Sequence, residues 1–138
     1  MRNWVIIKKI YEGFPLFLRR PADFDIEKLR PSFPILAIVT HQFTKRKDNG
    51  LPEEDYNLGL ANMDRALITA FDVDFMGVPA LIETFGGERN YYFYVSEETD
   101  VSNIISSMSH LYPSEKLSLK VKRDADWSFI EKYAKEYF

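Results

Sequence analysis

The chain has two histidines, His41 and His110, and no cysteine. Without a thiol there is no disulfide framework, no cysteine nucleophile, no Cys-bound zinc and no iron–sulfur cluster. His41 closes the apolar run Ile35-Leu36-Ala37-Ile38-Val39, at a strand end where general-base chemistry could be placed. Such a base needs a nucleophile or metal and an orienting group, and no such set is recognisable. His110 reads as the last turn of a helix, where positive charge suits the dipole. Ser106-Ser107-Met108-Ser109 reads as the solvent side of the same helix. Glu53-Glu54-Asp55, with Asp48 nearby, lacks the alternate acids of a calcium loop. It reads as a helix start whose carboxylates complement the dipole, as does Glu97-Glu98. Lys45-Arg46-Lys47 is a solvated loop tip. No GxGxxG, P-loop, HExxH or GxSxG motif occurs. The sequence therefore assigns no catalytic residue, no metal site and no cofactor, and leans away from an enzyme.

The aromatic strand Tyr91-Tyr92-Phe93-Tyr94-Val95 is the sharpest local feature in a chain with 15% aromatic residues. Arg89, Tyr91 and Phe93 fall at the offsets of an RNA-recognition strand. However, Asn90 stands where glycine is needed, Tyr92 where a small residue is needed, and Ser96 where an aromatic is needed. The first core strand offers no aromatic at all, so the pattern argues against RNA. The net charge, 18 − 21 = −3, argues against DNA, which needs a concentrated positive footprint. Tyr92 and Tyr94 instead add aromatic area on the side opposite Phe93. With Trp127 and His41 they are the candidate binding residues.

These residues need elements to hold them. Trp4–Tyr11 and Phe14–Arg19 read as a hairpin around Glu12-Gly13. Pro21–Pro34 reads as a loop whose short apolar pulse, Phe24, Ile26 and Leu29, allows one helical turn. Ile35–Val39 has the continuous apolarity of a strand buried on both faces. Pro52 should open a long helix with Tyr56, Leu60, Met63, Leu67 and Phe71 on one stripe. Val78–Phe85 and Tyr91–Val95 read as a second hairpin through Gly86-Gly87, with Pro79 placing its strand at an edge or starting it later. Asp100 starts a helix with Val101, Ile104, Ile105, Met108 and Leu111 inward, stopped by Pro113. Leu117, Leu119 and Val121 alternate with lysines, as suits an edge strand. Asp126 should cap a final helix, Trp127–Tyr137, with Trp127, Ile130, Ala134 and Tyr137 on one stripe.

The 138 residues make one α+β domain. It comprises an opening hairpin (1–20), a ferredoxin-like βαββαβ core (34–122) and a C-terminal helix (126–138). The first and third core strands should be central, with Pro79 and the lysines marking the edges. The apolar second face must be covered by the C-terminal helix, a dimer partner or a small ligand. The leading functional expectation is a cytoplasmic, non-enzymatic protein-binding or regulatory domain whose partner is another protein or a second copy. The alternative is a small-ligand sensor or enzyme with an aromatic-lined pocket on the sheet. No apolar run approaches the length that spans a bilayer, so no membrane role is expected.

Four short motifs occur in order: Gly13-Phe14-Pro15-Leu16, Gly50-Leu51-Pro52 before a helix bearing Asp64, Arg89-Asn90-Tyr91-Tyr92-Phe93-Tyr94, and Asp124-Ala125-Asp126-Trp127. In this order they resemble the bacterial domain of unknown function 695 family over nearly the whole chain. Asn62-Met63-Asp64 departs from that family's paired acidic motif. The Gly-Leu-Pro helix entry is also similar to the ribonuclease E activity regulator B family, over the middle of the chain only, and that family acts by binding a protein. The first resemblance implies a fold and no activity.

Overall fold

The computed structural model describes residues 3–23, 25–72 and 76–137, the last four by their backbone. Phe24 and the side chains of Ala134 and Tyr137 lie outside the described residues. The chain opens with the expected hairpin, β1 (Trp4–Tyr11) and β2 (Phe14–Pro21). Its two-residue loop holds Glu12 at φ 52° and Gly13 at φ 84°. Positive φ at both positions is what joins two right-twisted strands tightly. A short helix α1 (Ile26–Leu29) and one 3-10 turn (Arg30–Ser32) lead into β3 (Ile35–Gln42). The second hairpin is β4 (Gly77–Phe85) and β5 (Glu88–Val95), and β6 (Lys116–Arg123) follows.

All six strands form one sheet in the order β1-β2-β4-β5-β3-β6, antiparallel throughout. The domain is therefore α+β. The strands with apolar or aromatic residues on both faces, β3 and β5, lie inside the sheet, and the lysine-bearing β6 is at one edge. The proline strand is not the other edge. Strand β2 pairs with β4, but only through Phe17–Arg19 against Ile82–Thr84. That stretch lies beyond Pro79, where the β4–β5 ladder is itself irregular. Pro79 thus removes no β2 bond, and the edge passes to β1.

The long helix expected after Pro52 is two helices, α2 (Glu54–Gly59) and α3 (Ala61–Asp72). Gly59, a poor helix former, ends the first. Pro52 lies outside both and makes a β-bridge with Arg46. The stripe survives the break: Leu60, Met63, Leu67 and Phe71 are buried in the first core with Tyr56 at its margin. Helix α4 (Val101–Leu111) is capped by Asp100, whose side chain accepts from the Asn103 N–H, and adds Val101, Ile105 and Met108 to that core. Leu111 was expected inward but is exposed, and Tyr112 packs against the core in its place.

The second face is covered from within the chain by Phe33, Trp127 and Ile130. The last helix, α5 (Ser128–Tyr137), starts one residue later than expected, and its cap is Asp124 rather than Asp126. The Asp124 carboxylate accepts from the N–H groups of Ser128 and Phe129. Trp127 stands just before the helix at φ 57°, which turns its indole down onto the sheet.

Candidate functional site

Strand parity puts Phe17, Arg19, Tyr91 and Phe93 toward the helices α2 and α3. The same face runs past those helices onto the opening hairpin, leaving a groove of about 450 Å³ between β1–β2 and α2–α3. Its rim includes Leu51 and Pro52. Gly50 holds φ 88° there, and a Cβ on it would come within 2.9 Å of the Gly86 nitrogen. Glycine is therefore what lets this loop dock on the β4–β5 turn.

Three charged side chains make the groove floor. Arg19 Nη2 donates to Asp64 Oδ1 at 2.7 Å, and the buried Tyr91 hydroxyl donates to the same oxygen at 2.6 Å. Arg89 Nε donates to Thr84 Oγ1 at 2.9 Å and Nη2 to Asn57 Oδ1 at 3.4 Å, while Nη1 stands 3.9 Å from Asp64 Oδ1. Both guanidinium groups lie on aromatic faces, Arg19 at 4.9 Å from the Trp4 ring and Arg89 at 5.4 Å from Phe43. Burial alone would raise the Asp64 carboxyl, but the Arg19 bond and charge, the Tyr91 hydroxyl and the Arg89 charge hold it below its ordinary value. Burial and the adjacent Asp64 charge push the Tyr91 phenol up. Asp64 is thus an anion and Tyr91 a neutral donor at neutral pH. This constellation can bind and orient. It presents no nucleophile paired with a base.

The sequence reading named Asp64, Arg89 and Tyr91 but did not join them, and it missed Arg19. The available signal was Asp64 itself. It falls four residues after Leu60 and three before Leu67, on the apolar stripe, where a carboxylate needs cations.

His41 is fully buried at the end of β3, with Nε2 2.8 Å from Glu115 Oε1. The Tyr56 hydroxyl donates to that same oxygen and lies 3.5 Å from Nε2. A carboxylate only accepts, so the imidazole carries its proton on Nε2. Its Nδ1 is buried without a hydrogen-bond partner. Burial lowers the imidazole against the opposing pull of Glu115, so the ring is neutral at neutral pH. Burial would raise Glu115, yet its bonds from Tyr56 and His41 hold it low. His41 does not line the groove between β1–β2 and α2–α3. The cluster ties β3, α2 and the start of β6 together.

The remaining candidate residues lie under α5. Tyr94 is buried, donates to Asp124 Oδ2 at 2.7 Å and stacks on Trp127 with centroids 4.1 Å apart. Trp127 Nε1 donates to the Phe33 carbonyl at 2.7 Å. Tyr92 stacks on Phe129 at 4.9 Å. Burial pushes both phenols up, helped by Glu83 and Glu88 at Tyr92 and by Asp124 at Tyr94. Among the described residues no group of three or more His, Asp or Glu side chains could hold a metal ion. Among the described residues no helix is long and apolar enough to cross a membrane.

No curated protein and no solved structure matches the chain. The model of a family of unknown function, DUF695, matches residues 2–133. Two of the motifs that suggested that family meet at one place, with Leu51 and Pro52 on the groove rim, Asp64 and Arg89 on its floor and Tyr91 beneath. With a match over almost its whole length, the chain belongs to the DUF695 family.

Proposed function

We propose that this is a non-enzymatic binding domain that takes an extended segment of another protein along the open edge of β1. One observation carries the reading. Of the seven exposed large apolar side chains among the described residues, four (Ile6, Ile10, Tyr11 and Phe14) belong to the opening hairpin. Ile6 and Ile10 are 69% and 67% exposed on a strand that, among the described residues, has no neighbour on its outer side. Tyr11 and Phe14 flank the two-residue loop, so alternation directs the backbone groups of Ile6, Lys8 and Ile10 outward. An unpaired edge with apolar side chains is the platform for strand addition. Pairing β1 with a second copy centred on Lys8 would set like charges opposite one another, which is unfavourable. An acidic partner segment complements Lys8 and Lys9 instead.

The order β4-β5-β3-β6, with helices following β3 and β5, supports reading residues 34–122 as a ferredoxin-like unit extended by the hairpin. The alternative, an aromatic pocket on the sheet, has less support because Tyr92 and Tyr94 pack beneath α5.

Affinity capture with Ile6→Pro and Ile10→Asp tests the binding reading. Ile6→Pro removes an outward N–H and no β2 bond. A partner retained by wild type and by the distant Leu58→Asp, but lost by both hairpin variants, is the expected result. Partners that ignore the hairpin changes would overturn it.

A further inference from the structure

We propose that the groove between the opening hairpin and α2–α3 binds a carboxylate carried on an apolar body, with Arg89 and Arg19 as the recognising cations. This site stands on its own observations, independent of strand addition at the β1 edge. The two guanidinium groups share one carboxylate, Asp64. Lys47 already has Glu54 at 3.7 Å. The groove lining therefore carries three cations and two anions, an excess of one positive charge in a chain of net charge −3. That excess matches one carboxylate and falls short of a doubly charged phosphate.

The donors are also in place. Among the described residues the Arg19 side chain makes one hydrogen bond, from Nη2 to Asp64, which leaves its Nε and Nη1 to a ligand. Arg89 has Nη1 at 3.9 Å from Asp64, beyond hydrogen-bond reach. The Trp4 and Phe43 rings lie against the two guanidinium groups, and a guanidinium so supported loses less freedom when a planar carboxylate docks. Ile6, Phe17, Leu51 and Ile82 supply apolar walls, and the volume of about 450 Å³ suits a small organic acid or one chain-terminal residue. A free small acid and a polypeptide C-terminus share this chemistry.

Calorimetric titration of the full chain separates the sources. The probes are N-acetyl-leucine, its uncharged amide, 4-methylpentanoate and inorganic phosphate. Saturable binding of an acid, with the amide silent, is the expected result. Binding of both acids assigns a free acid, and binding of N-acetyl-leucine alone assigns a chain terminus; either supports the site. Arg89→Gln should weaken the acid at least about tenfold, the scale of a lost charge-assisted bond, with an unchanged near-ultraviolet spectrum. Arg19→Gln is the second variant and should weaken it in the same sense. The proposal fails if neither acid binds, if the amide binds equally well, if phosphate binds in their place, or if both variants bind at wild-type strength.

Discussion

Two tyrosines on β5, three residues apart, point to opposite faces of the sheet, and each donates its hydroxyl to an aspartate. Tyr94 reaches Asp124 at 2.7 Å and Tyr91 reaches Asp64 at 2.6 Å. On the Tyr94 side the carboxylate also takes the N–H groups of Ser128 and Phe129, and Trp127 lies over the ring. On the Tyr91 side the carboxylate faces two arginines at the wall of a groove. The first aspartate accepts from two backbone N–H groups and caps a helix. The second leaves cationic donors facing open space. The same pair of side chains serves packing on one face and presents charge on the other, and the difference lies in what surrounds the aspartate.

The contrast breaks first at Trp127. Trp127→Ala removes a buried indole, its bond to Phe33 and its stack on Tyr94, and should cost about 3–5 kcal/mol in urea denaturation. A loss under about 1 kcal/mol would mean that α5 does not close the second face. Next, Asp124→Ala should cost about 2–3 kcal/mol, because it removes a helix cap and leaves the Tyr94 hydroxyl without its acceptor. Asp64→Asn keeps an acceptor for Tyr91 but removes the charge that Arg19 and Arg89 face, and should cost about 1–2 kcal/mol. Equal losses at the two aspartates would erase the distinction between them.

The smallest effect is a pH slope from His41. Burial holds the folded imidazole below its ordinary 6.5, so the unfolded chain takes up the proton first as pH falls. Stability is therefore full above about pH 7 and declines from about 6.5 downward. Below about 4.5 a steeper loss follows, because Glu115 and Asp64 are held below their ordinary 4.5 and 3.8. His41→Gln should flatten the upper window. A wild-type midpoint that does not change between pH 7.5 and 5.5 would contradict the buried neutral ring.

Much of the architecture was legible because periodicity reports burial. Ile35–Val39 and Tyr91–Val95 are apolar on both parities, and both strands are internal. The stripe from Tyr56 to Phe71 placed the first core although the helix breaks at Gly59, since three- and four-residue spacing continues across the break. The Asp124 cap was missed because it depends on a positive φ at Trp127, and nothing in Asp124-Ala125-Asp126 announces that. The groove was not legible as a whole. Arg19 and Asp64 are 45 positions apart, and a hydropathy pattern says nothing about which strand lies beside which helix. His41 was singled out, but its partner Glu115 sits in a loop with no periodicity to read.

The short β2–β4 ladder has a consequence for motion. The hairpin's ladder to the sheet is Phe17–Arg19 against Ile82–Thr84 alone, supported by Leu16 and Leu18 in the second core, Trp4 against the first, Tyr11 edge-on to Phe85 and the Arg19–Asp64 ion pair. Strand β3, by contrast, is paired along its full length on both sides. In native-state hydrogen exchange the β1–β2 amides should therefore form a unit that opens at lower free energy than β3 and β5. An occupant of the groove touches the hairpin on one side and α2–α3 on the other. Such an occupant would therefore slow exchange in the whole hairpin, including amides it never contacts.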